Sequence, residues 1–287
     1  MPRQSGVVPD EVADFGRRVA SELAAALGEE FVGTYFVGSI ALDGYVEKES
    51  DLDILAVCRA RLSQERRAAI AERIFATTPL CPARGLEFTL YRLDVVGTAP
   101  ATRTASADFE INVNGGPRMD KSVRLSPDGQ PTFWWVLDRA IAHRRGATIS
   151  GPPPGDVVAD ASRSVLLDAM IESMRWHRQH EKATLYSVLN ATRAWYFSVE
   201  GRLVSKLEGA AWATSYWRDP LVIESAVALR LGRSATLRVG DVDALLDHVE
   251  EQLAHSRKDL EARDDPTFGP ADSRVGAEGL EPPATCL

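Results

Sequence analysis

The chain has 287 residues, of which 45% are hydrophobic and 26% are charged, and its formal net charge is −8. This length suffices for two modest domains, each with a buried core, and the composition is that of a globular protein. The negative net charge disfavours nucleic acid as a partner, because phosphate backbones bind to basic surfaces, whereas a cationic substrate would be attracted.

The three cysteines are Cys58, Cys81 and Cys286, and their spacing is not that of a disulfide framework or a zinc site. This pattern is typical of a reducing compartment. The sequence also contains no apolar run long enough to span a bilayer. We therefore expect a cytoplasmic protein that has neither a membrane nor a nucleic-acid partner.

The first third of the chain alternates between helical and β patterns. Val12, Phe15, Val19 and Leu23 recur at helical spacing, and Gly28 supplies the end of that helix. The patterns predict, in chain order, a helix over 10–27, strands over 32–37 and 52–57, a helix over 63–77 and a strand over 86–91.

Two acidic residues and a Gly-Ser pair flank the connection between the first two predicted strands. Gly38-Ser39 follows one strand, and Asp51-Leu52-Asp53 opens the next. Because strand side chains alternate between faces, Asp51 and Asp53 should point the same way, a few ångströms apart. Such a pair suits Mg²⁺ shared with substrate phosphates. A glycine turn lets backbone N–H groups approach a phosphate closely, and the Ser39 hydroxyl adds a donor. Together they favour phosphoryl or nucleotidyl transfer.

A third acid, Glu87, lies at the start of the strand Leu86-Glu87-Phe88-Thr89-Leu90-Tyr91. The alternation places Glu87 on the face opposite to Leu86, Phe88 and Leu90. A carboxylate beside a metal pair can take the proton from an attacking hydroxyl group, and it can also serve as a further metal ligand.

The remainder of the chain changes character after residue 150. Residues 108–113 alternate as a strand that Gly115-Gly116-Pro117 should end, and residues 134–143 look helical. Gly151-Pro152-Pro153-Pro154-Gly155 is a stiff break, after which no strand pattern occurs. We predict an α+β domain over 1–150, an all-α helical bundle over 156–263 and a disordered tail over 264–287.

One predicted helix of the C-terminal half carries two stripes. Leu185, Leu189, Thr192, Tyr196 and Val199 follow a helical core stripe. A polar stripe lies beside it and consists of Tyr186, Asn190 and Arg193.

The ordered set Gly38-Ser39, Asp51-x-Asp53 and Glu87 resembles the active site of the polymerase-β-like nucleotidyltransferase superfamily. More narrowly, three further segments resemble the aminoglycoside O-adenylyltransferases of the streptomycin–spectinomycin type: Leu86-Glu87-Phe88-Thr89, Arg193-Ala194-Trp195-Tyr196, and Ser205-Lys206 with Ala210-Ala211-Trp212. The resemblance implies a mixed sheet with flanking helices, followed by a helical bundle.

The resemblance also implies a reaction and roles for the residues. AMP would pass from ATP to a hydroxyl group of the acceptor, with Mg²⁺ as the metal and release of pyrophosphate. Asp51, Asp53 and Glu87 would be catalytic and metal-binding, and Gly38 and Ser39 would bind the nucleotide. Two cations of the helical domain, Arg193 and Lys206, would bind its phosphates. We expect the protein to act as a monomer.

The acceptor-binding part of the family pattern differs here. The Glu-Trp element near the end of the first domain is replaced by Asn112-Val113-Asn114-Gly115-Gly116, and the acids before the Arg193 helix are replaced by Gln179 and Ala183. We predict acceptor contacts from Glu110, Asn114 and Glu181, and an altered drug preference. Two alternatives remain open: an antitoxin-like nucleotidyltransferase that adenylylates a protein partner, and a catalytically idle binding protein.

Overall fold

The N-terminal half is built on a six-stranded mixed sheet, seen in a computed structural model that describes residues 8–99, 108–127 and 131–264. The strand order is β5-β4-β3-β2-β1-β6. Strands β2 and β3 pair in parallel and every other neighbouring pair is antiparallel. The strands are β1 (Phe31–Phe36), β2 (Leu52–Cys58), β3 (Leu86–Arg92), β4 (Phe109–Gly116), β5 (Met119–Arg124) and β6 (Ala147–Ser150).

Helices flank this sheet, and after residue 153 the described chain contains helices and the loops that connect them. In the N-terminal half they are α1 (Asp10–Leu27), α2 (Gly38–Ala41), α3 (Gln64–Phe75), α4 (Leu93–Val96) and α5 (Phe133–Arg145). The C-terminal half contains α6 (Pro154–Val157), α7 (Arg163–His180), α8 (Leu185–Glu200), α9 (Lys206–Thr214), α10 (Leu221–Arg230) and α11 (Val239–Asp264). None of the described helices has the length and apolar character needed to cross a bilayer.

One face of the sheet packs against α1 and α3. The predicted stripe Val12, Phe15, Val19 and Leu23 is buried in a cluster with sheet residues such as Ile54. Burial of such side chains stabilises the fold by about 1.5–3 kcal/mol each. The amphipathic helix predicted over 10–27 is therefore present, with the predicted buried face.

The other face of the sheet shares its core with the C-terminal helices. A second cluster contains Tyr35, Leu55 and Tyr91 from the strands together with Leu166 of α7 and Leu245 of α11. This core passes across the predicted boundary at 151–155 without a break. The division at residue 150 stays a prediction about sequence organisation, and the apolar packing on its two sides is continuous.

Local sequence signals determine where the C-terminal helices α8 and α9 begin and where α8 ends. Thr184 caps α8 by accepting a hydrogen bond from the Ser187 N–H, and Gly201 ends it with a φ of 70°. Ser205 caps α9 by accepting from the Glu208 N–H, which places Lys206 in the first turn.

The strands and helices predicted for the N-terminal half agree with the observed ones to within about three residues. Strands β5 and β6 and the short helix α4 had no predicted counterpart. Val199, predicted as core, is 53% exposed at the end of α8. The predicted disordered tail lies, apart from residue 264, outside the described residues.

Candidate active site

Three carboxylates meet at the ends of the parallel strands β2 and β3. Asp53 and Glu87 are directly paired across these strands, and Asp51 precedes β2 by one residue. All three line a cavity of about 760 Å³ between the sheet and the C-terminal helices. Asp51 and Asp53 are neighbours along the chain, and the parallel pairing of β2 with β3 brings the third predicted acid, Glu87, to them.

Gly38 packs directly against Asp53, one of these three acids. Its φ is 53°, and a Cβ atom built on it would lie 1.8 Å from Asp53 Oδ2. The next residue, Ser39, donates its backbone N–H to Asp53 Oδ2 at 3.4 Å and its hydroxyl to the Asp51 carbonyl oxygen at 3.5 Å. Only glycine permits both the backbone conformation and this close approach. The predicted tight turn is the short helix α2.

The pKa values reflect negative charge that the protein itself does not neutralise. Burial, with help from Asp51 and Asp138, raises the pKa of Asp53 to about 7. The Glu87 side chain is open to solvent from the cavity. Even so, the surrounding protein atoms, followed by the charges of Asp51 and Asp53, hold the pKa of Glu87 well above its usual value. A divalent cation would neutralise this excess charge.

Arg84 is a cleft residue that the sequence analysis missed. Its Nη2 donates to Asp51 Oδ2 at 2.7 Å, and its Nη1 donates to the Tyr186 hydroxyl of α8 at 3.2 Å. Burial would raise the pKa of Asp51, but the Arg84 guanidinium outweighs it and the pKa is lowered. A single arginine before a strand gives no pattern from which this contact could have been predicted.

The two predicted phosphate-binding cations, Arg193 and Lys206, line the same cavity as the acids. Arg193 Nε donates to the Val204 carbonyl oxygen at 2.9 Å. The Lys206 ammonium lies 4.8 Å from the centre of the Tyr186 ring. Burial, reinforced by the positive charges of Arg193 and Arg230, lowers the pKa of Lys206 to about 8. An anionic ligand between these groups would restore their charge balance.

The predicted acceptor residues divide into two groups. Asn114 of β4 and Glu181 after α7 line the cavity, whereas Glu110 does not. A bulge between Leu90 and Tyr91 shifts the β3–β4 register beside Glu110. Glu110 is instead buried against the Leu62 N–H, at 3.0 Å, and pairs with Arg92 at 3.3 Å. The prediction of an acceptor contact from Glu110 is therefore wrong.

Glu181 is part of a hydrogen-bonded chain on the wall formed by α7 and α8. Its Oε2 lies 2.8 Å from His177 Nδ1, and Asn190 Nδ2 lies 2.8 Å from His177 Nε2. Burial lowers the pKa of His177 despite the nearby carboxylate, so this histidine is neutral at pH 7. The neutral ring donates to Glu181 and accepts from Asn190, and both cavity residues are held in place.

Two aromatic rings and a further acid also line the cavity without having been singled out from the sequence. Trp134 and Asp138 come from α5, and Trp176 comes from α7. The helix over 134–143 was predicted, but its polar and apolar residues gave no indication of which side faces a cleft. Asp138 lies one helical turn after Trp134 in a largely aromatic and apolar segment. This acid was the one sign in the sequence that this side of the helix faces a cleft.

The acids fit Mg²⁺ that is completed by substrate oxygens. Within the described residues, no group of three or more His, Cys, Asp or Glu side chains is arranged to hold a metal ion by itself. Mg²⁺ commonly uses one or two carboxylates and takes its other ligands from phosphates and water. Asp51 and Asp53 meet that requirement, and the raised pKa of Asp53 is consistent with an uncompensated cation site.

Comparisons with known proteins agree with this architecture. Residues 156–255 match the family model described as aminoglycoside adenylyltransferase, C-terminal domain. The crystal structure of spectinomycin adenyltransferase AAD(9) from Enterococcus faecialis, determined with ATP and spectinomycin, is similar in fold with a TM-score of 0.64 and 15% identity. The similarity covers 84% of this chain and 98% of that one.

Other comparisons add little. The STING-associated CdnE c-di-GMP synthase from Capnocytophaga granulosa gives 10% identity over 90% of this chain and 84% of that one. Its TM-score of 0.29 is too low to indicate a shared fold. Sequence comparison with curated proteins gave no match.

The predicted fold class and the predicted resemblance to the aminoglycoside adenylyltransferases, which are nucleotidyltransferases, are thereby confirmed. Residues 156–255 thus match the C-terminal domain of the aminoglycoside adenylyltransferases, and the chain as a whole is similar in fold to a spectinomycin adenyltransferase.

Proposed function

We propose that this protein transfers AMP from ATP to a hydroxyl group of a cationic aminoglycoside of the streptomycin–spectinomycin kind and releases pyrophosphate. One observation carries the proposal. Asp51, Asp53 and Glu87 of the N-terminal half line the same cavity as Arg193 and Lys206 of the helical half. Acids that suit a metal and a base, together with cations that suit phosphates, form the set that nucleotidyl transfer requires.

The residues of the chain divide the work of the reaction. Gly38 and Ser39 would hold phosphate oxygens, and Arg193 and Lys206 would bind the triphosphate by charge-assisted hydrogen bonds. Asp51 and Asp53 would hold Mg²⁺, which when bound supplies neutralisation of phosphate charge. For Asp51 this requires that it give up its contact with Arg84 in the nucleotide complex.

Glu87 would act as the general base. The acceptor hydroxyl loses its proton to Glu87 as its oxygen bonds to the α-phosphorus, and the bond from that phosphorus to the bridging oxygen breaks. Pyrophosphate then leaves on the side of Ser39, Arg193 and Lys206. The raised pKa of Glu87 implies that positive charge must be added beside it before it acts as a base.

The acceptor is assigned from charge and from the comparisons. The related AAD(9) was crystallised with spectinomycin, and residues 156–255 match an aminoglycoside adenylyltransferase domain. The net charge of −8 favours a cation. The altered acceptor residues predict weak or changed drug preference, and a cytoplasmic location stays a prediction.

The test is incubation of the purified protein with ATP labelled at the α-phosphate, Mg²⁺ and a panel of aminoglycosides, with and without cell lysate. We expect a labelled drug and labelled protein at background level. The Asp51→Asn variant should form no product, and Asp120→Asn, an exposed change on β5, should match the wild type. Labelled protein would favour the antitoxin-like alternative, and an absence of any label would favour an idle binding protein.

A further inference from the structure

Helix α5 presents an aromatic ring and a carboxylate to the cavity from one face. Trp134 and Asp138 are four residues apart, the spacing at which helix side chains lie one above the other, and both line the cavity. Across from them, the Trp176 ring of α7 lies 4.9 Å from the Trp134 ring, centre to centre, at an interplanar angle of 67°. The three side chains form one corner, which we call the α5–α7 corner.

The Asp138 carboxylate has no close partner of its own. Among the described residues it makes no hydrogen bond and no salt bridge, and its cationic neighbours Arg193 and Lys206 act on it at longer range. Burial raises the pKa of Asp138 to about 6, so that it is mostly ionised at pH 7.5. A half-buried carboxylate is normally paired. This one faces the cavity, where a ligand can pair with it.

The aromatic rings beside Asp138 favour an organic cation over a metal ion. Both Trp134 and Trp176 are partly exposed in the cavity wall. The faces of tryptophan rings attract ammonium groups and also accept the hydrocarbon next to them. A carboxylate that lines the same cavity as two such rings is therefore complementary to a protonated amine on a saturated ring.

The corner is placed within reach of the reacting groups. Asp138 lines the same cavity as Asp53 and Glu87, and its charge contributes to the raised pKa values of both. A small molecule in this cavity can therefore present a hydroxyl group to Glu87 and an amine to Asp138. The other acids offered for this task are less available: Glu110 is outside the cavity, and Glu181 is hydrogen-bonded to His177.

We infer that Trp134, Asp138 and Trp176 form a subsite that binds a protonated amino group of the acceptor and so determines acceptor specificity. The inference rests on the proposed function. The competing possibility is that Asp138 acts by holding Arg193 and Lys206 in position. The two roles predict different effects of mutating Asp138. Loss of the subsite would lower the affinity for the acceptor, whereas loss of a positioning contact would lower the affinity for ATP.

The experiment measures the binding of spectinomycin and of Mg·ATP to the full-length protein by calorimetry, for the wild type, Asp138→Asn, Trp134→Leu and the control Asp120→Asn. We expect Asp138→Asn to bind spectinomycin at least about tenfold more weakly and Mg·ATP within about twofold of the wild type. Spectinomycin with acetylated amines lacks the charge and should bind the wild type and Asp138→Asn equally. Trp134→Leu should weaken both forms of the drug.

The outcomes separate the subsite from the proposed reaction. Weaker Mg·ATP binding with unchanged drug binding in Asp138→Asn would overturn the subsite in favour of a positioning role. Unchanged binding of both ligands would overturn it outright. If the wild type binds spectinomycin through Asp138 but transfers no label to it, the subsite stands and the proposed reaction fails. If the wild type transfers label and Asp138→Asn is indistinguishable, the reaction stands and the subsite fails.

Discussion

The pKa of the single side chain Glu87 is set by its neighbours. It is open to solvent from the cavity, yet the surrounding protein atoms and the charges of Asp51 and Asp53 oppose its ionisation. Charge brought in with the nucleotide would reverse that balance, because an adjacent cation lowers the pKa of a carboxyl group. The base would then become competent only when the site is loaded.

We expect Glu87→Gln to slow turnover by roughly 10²–10⁴-fold, the usual contribution of a general base, with Mg·ATP affinity close to that of the wild type. Single-turnover kinetics and calorimetry would measure the two quantities. Glu72→Gln, an exposed change on α3, is the matched control. A variant that loses nucleotide affinity and keeps its turnover number would make Glu87 a ligand rather than a base.

Asp53 lowers the stability of the metal-free protein at neutral pH. Its pKa rises from 3.8 to about 7 on folding, so the folded state holds the proton more tightly than the unfolded chain. Stability contributed by this group is therefore present below about pH 4 and is lost as the pH rises toward 7. Because the cavity admits solvent, we put the loss at about 1–3 kcal/mol.

The Asp53→Asn variant should accordingly melt at a higher temperature than the wild type at pH 8 in EDTA, and the difference should shrink at pH 5. Thermal unfolding of both proteins at the two pH values provides the measurement, with Asp120→Asn as the control. A gap that widens at pH 5 would contradict this assignment. The stabilised variant should at the same time be inactive, because Asp53 is a proposed metal ligand.

At the scale of elements, the turn from β1 into α2 determines the position of Asp53. A Cβ atom on Gly38 would overlap Asp53 Oδ2, and its φ of 53° disfavours any other residue. Gly28 has a similar φ of 61° but no atom within 4 Å of the Cβ position. The two glycines therefore separate the backbone effect from the steric one.

Gly38→Ala should displace Asp53 and abolish transfer, whereas Gly28→Ala should only lower stability. Each carries the left-handed backbone penalty of about 1–2 kcal/mol. Melting temperature and adenylyl transfer, measured for both variants, distinguish the effects. Equal activity of the two variants would show that the Gly38 contact does not matter for the site.

The sequence predicted those elements whose signal is local. The helix α1 has a full apolar stripe and a glycine end, β2 contains an apolar run and β3 alternates clearly, so each was placed to within a few residues. The strands β5 and β6 were missed because β5 is mostly polar on a sheet edge and β6 has four residues. Their pairing depends on tertiary partners, which a periodic pattern does not report.

The same limit applied to the site. Asp51, Asp53 and Glu87 belong to short motifs, and Arg193 and Lys206 were assigned by resemblance. Packing in the folded protein brings Arg84, Asp138 and the two tryptophans to the cavity. Glu110 lies outside the cavity because of one bulge in the β3–β4 register. A one-residue shift in strand pairing turns a side chain to the other face, and the alternation pattern alone did not reveal it.

On the scale of the whole molecule, Arg230 connects the helical half by hydrogen bonds to the segment just before Asp51. From the end of α10 it donates to the Glu49 carbonyl oxygen at 2.8 Å and to Ser50 Oγ at 2.6 Å, next to Asp51. Ser50 is fully buried, so its hydroxyl depends on these internal partners. The contact fixes the segment that presents Asp51.

We expect Arg230→Met to lower the stability by about 1–3 kcal/mol, because it weakens the hydrogen bonding of a buried hydroxyl, and to reduce turnover by loosening Asp51. Arg233→Met, an exposed change nearby, is the control. Urea unfolding and transfer kinetics measure the two effects. A variant that loses stability but keeps full turnover would show that Arg230 supports the fold without positioning Asp51.

The link between Ser50 and Arg230 joins positions 180 residues apart in the chain. On a ribosome that adds about 5–20 residues per second, this interval corresponds to roughly 10–40 s of synthesis. The emerging polypeptide carries its three acids early, but Arg193, Lys206 and Arg230 follow only when most of the chain has been made. A nascent chain should therefore be unable to engage ATP until α10 has left the exit tunnel, which keeps half-made protein from trapping the nucleotide.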